Sequence, residues 1–250
     1  MKNLIKPGLS LLLVLFADVS FSQGTIPIVT SNALQNGQTE YSITLQLLGL
    51  MTILTLLPSL LLMMTSFTRI IIVLSLLRQA MGTAQTPPNQ VLLGLALFLT
   101  IFIMTPVATV VNEEAIQPYV NSEIGLEDAL LRAQVPIKTF LLQQTRESDI
   151  QTFISLLNDD VQYNTPNDLP LNILVPAFIA SELKSAFTIG FMLYIPFVVI
   201  DLVVASILMS MGMMMLSPMM ISLPFKLLLF VMVDGWNLLI GSLAGSFAQI

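Results

Sequence analysis

Long apolar runs alternate with short polar stretches along this chain. Residues 43–77 are apolar, charged only at Arg69 and interrupted by Pro58. At 1.5 Å per residue this run is far longer than the ~20 residues that a membrane helix needs. It therefore predicts a helix bent near Pro58 or a helical hairpin. Residues 79–89, with Gly82, Pro87 and Pro88, read as a turn. Residues 91–111 are uncharged, with Pro106 near their end, and form the clearest span. The run 171–208 is again longer than one span, with prolines at 176 and 196, and residues 221–250 form the last one. The pattern predicts an all-α chain with four hydrophobic regions in two pairs, 43–111 and 171–250.

Between the pairs, residues 112–170 change character. Ten acids (Glu113, Glu114, Glu123, Glu127, Asp128, Glu147, Asp149, Asp159, Asp160 and Asp168) face three bases, Arg132, Lys138 and Arg146. Spaced apolar residues over 126–142 and 149–157 predict two amphipathic helices, the second capped by Ser148 or Asp149. Arg69 and Arg78 lie beyond the other end of the 91–111 span, so the positive-inside rule places the acidic section outside the cytoplasm.

The first 22 residues point the same way. Lys2 and Lys6 precede the apolar run 9–16, and Ser20 and Ser22 stand at −3 and −1 to a cut before Gln23. That is the pattern of a cleaved secretory signal peptide; an uncleaved first helix is the alternative. Residues 23–42 then read as a flexible leader.

Composition narrows the chemistry. The chain is 55% hydrophobic and 10% charged, with a mean hydropathy of +0.87. A soluble domain carries about 25% charged residues, so lipid or other apolar protein must surround much of this one. There is no cysteine or histidine, which excludes disulfides, thiolate or imidazole metal sites, and Ser-His or Cys-His catalysis. No cofactor is expected. A net charge of −6 argues against a nucleic-acid partner.

Two features carry candidate function. Seven of the fifteen methionines fall in residues 209–220: Met209, Met211, Met213, Met214, Met215, Met219 and Met220. Thioethers conform to irregular partners, so the cluster reads either as a deformable seal or as ordinary apolar filler. Gly212 and Pro218 break any helix there. The other feature is charge in apolar surroundings: Arg69, Glu182, Lys184, Asp201, Lys226 and Asp234. Each costs about 2.5–3.5 kcal/mol at mid-membrane, so partners are expected. Arg69 reads either as a cytoplasmic-side anchor or as half of an inter-subunit ion pair. Glu182 and Lys226 flank the methionine cluster, and a hairpin turning there would bring them to one level as a pair within or between subunits, architectural rather than a proton relay. Asp201 and Asp234 are the only candidate catalytic dyad, and neither sits in the Gly-x-Gly-Asp setting of intramembrane aspartyl proteases. A self-contained small-solute transporter is the other alternative.

Specific motifs go further. Thr65-Ser-Phe-Thr-Arg-Ile70 leads into Leu76-Leu-Arg-Gln-Ala-Met-Gly-Thr-Ala-Gln-Thr-Pro-Pro-Asn-Gln90, and Pro176-Ala-Phe-Ile-Ala-Ser-Glu-Leu-Lys184 follows later. Gly190-Phe191, Ile195-Pro-Phe-Val-Val-Ile-Asp201, the methionine run to Pro218 and Leu223-Pro-Phe-Lys226 complete the set. Over residues 42–248 the chain resembles the FliP/SctR export-gate family of type III secretion systems, on its flagellar branch. The resemblance implies a non-enzymatic, pentameric helical ring of bent hairpins at the bacterial inner membrane. FliQ and FliR would complete it, FliO would assist assembly, and FlhA and FlhB would lie nearby. Unfolded flagellar proteins would be the cargo, and the chain would sit in the flagellar basal body with a large extracytoplasmic, periplasmic portion. Under this resemblance Met209, Met211, Met213, Met214 and Met215 form a constricting gasket, and Glu182, Lys226, Arg69, Lys184 and Asp201 form structural ion pairs.

Overall fold

The computed structural model describes residues 39–83, 85–156, 168–213 and 215–247. The expected signal peptide and most of the leader lie outside them. By contacts the chain divides into Met1–Met51 and Thr52–Ile250. The described part of the first unit is helical throughout.

Nine α-helices are described, with no strand among the described residues: α1 (Thr39–Met63), α2 (Phe67–Ala80), α3 (Asn89–Val111), α4 (Gln117–Val120), α5 (Leu126–Gln144), α6 (Glu147–Leu156), α7 (Leu171–Ser210), α8 (Pro218–Met232) and α9 (Gly235–Gly245). A π-helical segment, Asn112–Ile116, joins α3 to α4, so the chain is helical from Asn89 to Val120.

The bend expected at Pro58 lies elsewhere. α1 runs through Pro58 to Met63, and the following helix turns away by 71°. The corner is made by Thr65, whose hydroxyl donates to the Leu62 carbonyl (2.7 Å) and accepts from the Phe67 amide (3.3 Å). There a side chain competes for backbone bonds at the corner, while α1 carries Pro58 inside it despite the lost donor and the ring clash an interior proline brings. α1 also begins at Thr39, inside the expected leader, and α6 begins at Glu147, so Ser148 and Asp149 lie in its first turn rather than before it.

The core sits where α2, α3, α5 and α7 meet. α2 buries Ile70, Val73, Leu74 and Leu77, the i, i+3, i+4, i+7 face of a helix. α3 lays Leu92, Ala96, Leu99, Ile103 and Val107 into the same cluster. From α5 come Phe140 and Leu141, and from α7 Leu174, Phe178 and Ala186. The two helices come close at Gly190 on α7, where an added Cβ would lie 2.2 Å from the Leu76 methyl of α2.

α7 is one continuous 40-residue helix, Pro176 and Pro196 included. Its length is about 60 Å, twice the hydrocarbon thickness of a bilayer. Asn89–Val120 and Leu171–Ser210 are long and apolar enough to cross a membrane; the bent pairs α1/α2 and α8/α9 bring the number to as many as four if each is one span.

Candidate functional site

Two ion pairs, one buried and one partly buried, hold these helices together. Arg69, on α2, is 5% exposed, and Glu182, on α7, is fully buried. Arg69 Nε donates to Glu182 Oε2 (2.9 Å) and Nη2 to Oε1, a bidentate fork. Nη2 also reaches Gln144 Oε1 of α5 (3.2 Å). Nη1 donates to the Ser246 hydroxyl (3.0 Å) and carbonyl (3.5 Å) in the turn after α9. The guanidinium carbon lies 3.9 Å from the centre of the Phe247 ring. Next to it, Ser181 Oγ accepts from the Arg146 amide (3.1 Å) and donates to the Gln144 carbonyl (3.4 Å), which fastens the α5–α6 junction to α7.

The second pair joins α7 to α8. Lys226 Nζ, 2% exposed, donates to Asp201 Oδ2 (2.6 Å) and to the Ala80 carbonyl (3.2 Å) in the last turn of α2. A cation there also meets the negative end of that helix. Ser222 donates to the other oxygen of Asp201. Phe197 and Phe230, 6.4 Å apart, continue the antiparallel contact of α7 with α8.

The structure therefore pairs Arg69 with Glu182 and Lys226 with Asp201, and the expected Glu182–Lys226 pair is replaced by these two. The reason is arithmetic along a straight hairpin. Residues 211–217 form the turn; Asp201 lies ten residues before it and Lys226 nine after it, whereas Glu182 lies 29 before. Those further 19 residues of α7 carry Glu182 about 28 Å away along the axis. Lys184 is exposed and makes no ion pair among the described residues. Asp234 occupies the N-cap position of α9 in a left-handed conformation (φ 51°) without a side-chain cap bond, and it accepts from Asn237 (3.2 Å), so Asp201 and Asp234 have different partners.

The partners least visible from sequence are Gln144, Ser222, Ser246, Phe247 and the Ala80 carbonyl. Nothing local marks them: Ser246 is 177 residues from Arg69.

Residues 211–217 connect α7 to α8, with Gly212 at φ +75° and Pro218 opening α8. Met209 at the end of α7 and Met211 in the turn are exposed, Met213 is 41% exposed and Met215 fully so; Met214 lies outside the described residues. Behind the turn, Val199, Val203, Ile207, Ile221 and Phe225 line an open apolar groove of about 430 Å³.

The profile of the FliP family matches residues 50–243. The chain belongs to the FliP family. It is similar to the flagellar biosynthetic protein FliP of Pectobacterium carotovorum subsp. carotovorum, 53% identical over 96% of this chain and 92% of that protein. The protein of the same name from Bacillus subtilis is 53% identical (82% and 93% covered), and that from Aquifex aeolicus 48% identical (94% and 97%). The part matched to FliP contains both ion pairs and the methionine turn; Ser246 and Phe247 follow it.

The two pairs differ in how much they should hold. Asp201 is 30% exposed, so water screens part of its charge. Asp201→Asn leaves Lys226 the Ala80 carbonyl and an amide oxygen to bond. The expected cost is about 1–3 kcal/mol, read as a small drop in the thermal midpoint of the detergent-extracted protein.

Proposed function

We propose that this FliP-family chain is a core subunit of the flagellar type III protein export gate. With FliQ and FliR it forms the channel through which unfolded flagellar proteins leave, and the turn 211–217 is its deformable gasket. The observation that carries this reading is the turn itself: a row of methionines, exposed in the single chain, held at the tip of a hairpin that Lys226 and Asp201 brace from behind. A resting gate must stop ions and still admit side chains of every size. Flexible thioethers can close on one another and yield, which rigid branched side chains do less well.

The exposed apolar surface supports assembly into a ring. Along α7, exposed Leu183, Phe187, Phe191, Ile195, Leu202, Ile207 and Met209 run over 27 residues, 26 helical steps. That is about 39 Å of helix against about 30 Å of hydrocarbon. A lone helix would need a tilt of about 40°, the top of the usual range. Burial against neighbouring copies meets the same demand without it. On this reading the chain is a homo-pentamer in the inner membrane, its acidic section 112–170 faces the periplasm, FliO assists assembly, and FlhA and FlhB adjoin. Its chemistry is packing and gating rather than catalysis, and Lys184 finds its partner in another subunit.

Two measurements test this. Native mass of the detergent-extracted particle, co-expressed with FliQ and FliR, should give a ring of several copies holding both; a monomer that ignores them would sink the reading. Replacing Met209, Met211, Met213, Met214 and Met215 together with alanine should raise ion leak through an intact particle. An unchanged leak would refute the gasket.

A further inference from the structure

The Arg69–Glu182 pair is closed from three sides by different elements, and one of them is short. A guanidinium has five N–H donors, and all five of Arg69 have acceptors: two on Glu182, one on Gln144 and two on Ser246. α7 and α5 supply three of these from long, well-packed helices. The remaining two come from the single turn that follows the 11-residue α9. The same turn places the Phe247 ring on the guanidinium face at 3.9 Å. Phe247 is 1% exposed and stacks on Phe140 of α5, with ring centres 6.5 Å apart, and Phe140 in turn meets Phe178 of α7 at 6.0 Å.

We infer that the Ser246–Phe247 turn is a clasp: it shuts water out of the Arg69–Glu182 pair and fastens α9 to the junction of α5 with α7. The physical asymmetry is in what each part loses on release. With the turn lifted, Arg69 keeps its carboxylate and Gln144 but has two orphaned donors and one bare face, and the Phe140 ring is uncovered. Water can satisfy the donors, so the pair persists but becomes wet. Neighbouring structure survives, because the α8–α9 kink has its own packing. Phe230 meets Trp236 edge-on at 5.3 Å across it, and Gly235 lies against the Phe230 ring, where a Cβ would come within 2.4 Å. The clasp is therefore the part of this node able to open by itself, because it rests on one turn after a short helix whereas the other partners sit within long ones, and short peripheral elements open locally first. It ties the segment that begins at the methionine turn to the acidic helical section, at the Gln144 end of α5.

The chain has no cysteine and one tryptophan, Trp236, on α9. Both make the test clean. Thr145→Cys puts a thiol of similar volume at a buried position, 9% exposed, one residue after Gln144, whose side chain shares the Arg69 guanidinium with the Ser246 turn. In detergent-extracted full-length protein, its reaction with a water-soluble maleimide should be slow. Adding Phe247→Ala should speed it about tenfold, the factor for about 1.4 kcal/mol of closure, while Trp236 emission stays unchanged. Phe247→Leu, which keeps apolar bulk and loses the ring face, should fall between. An unchanged thiol rate with Phe247→Ala would overturn the clasp. So would a faster rate accompanied by a red-shifted Trp236 and lost helicity, since Phe247 would then belong to the global core.

Discussion

Glu182→Ala is expected to cost about 3–5 kcal/mol, the range for removing one partner of a buried ion pair. The mechanism is the Arg69 charge left behind, 5% exposed between α2 and α7, with only Gln144, Ser246 and the Phe247 ring to face. Neutral partners cannot replace a bidentate carboxylate. At this chain length the loss corresponds to a fall of about 10 °C in thermal midpoint, measured by circular dichroism in detergent. The companion experiment decides the cause. Arg69→Met with Glu182→Leu removes both charges and keeps the volume, and such replacements are often neutral or stabilising. The double variant should therefore recover most of the loss. If it is as unstable as Glu182→Ala, the damage comes from the shape of the site and the electrostatic account fails.

What could be read before folding, and what could not, divides along one physical line. Features repeated within a helix were legible. The apolar runs marked the long helices, and Gly212 and Pro218 do end and open helices at the methionine turn. Spaced apolar residues also located α5 and α6 in the acidic section. Features that depend on how helices meet were not. That Arg69 needs an acid follows from its apolar flanks, but the choice of Glu182, 113 residues away, depends on the register of α2 against α7. The pairing of Lys226 required only counting back along an unbroken α7, and the prolines obscured that it is unbroken. Their cost is usually high in a helix interior, and Pro58, Pro176 and Pro196 are nevertheless carried inside helices here. The sharp corner falls instead at Thr65, where a hydroxyl takes over backbone bonds. The π-helical segment after α3 had no signal in the residue pattern.

Gly190 should be the least replaceable position of the α2–α7 contact. A Cβ there would lie 2.2 Å from Leu76 Cδ1, 3.1 Å from Leu76 Cβ and 3.2 Å from its Cγ. The methyl end of Leu76 can rotate away, but its Cβ is fixed to the α2 backbone. Alanine therefore asks for a new Leu76 rotamer and a small shift of α2, at about 1–3 kcal/mol as overpacking usually costs. Leucine cannot be accommodated by a rotamer alone and must part the helices. α2 carries both Arg69 and the Ala80 carbonyl, so parting it from α7 strains both polar links at once. The expected result is that Gly190→Leu abolishes the extractable folded protein, whereas Gly190→Ala lowers its thermal midpoint. The diagnostic is Leu76→Ala, which vacates the space: combined with Gly190→Ala it should be less damaging than the sum of the two single changes. Strict additivity would mean that the helices do not approach closely at this glycine.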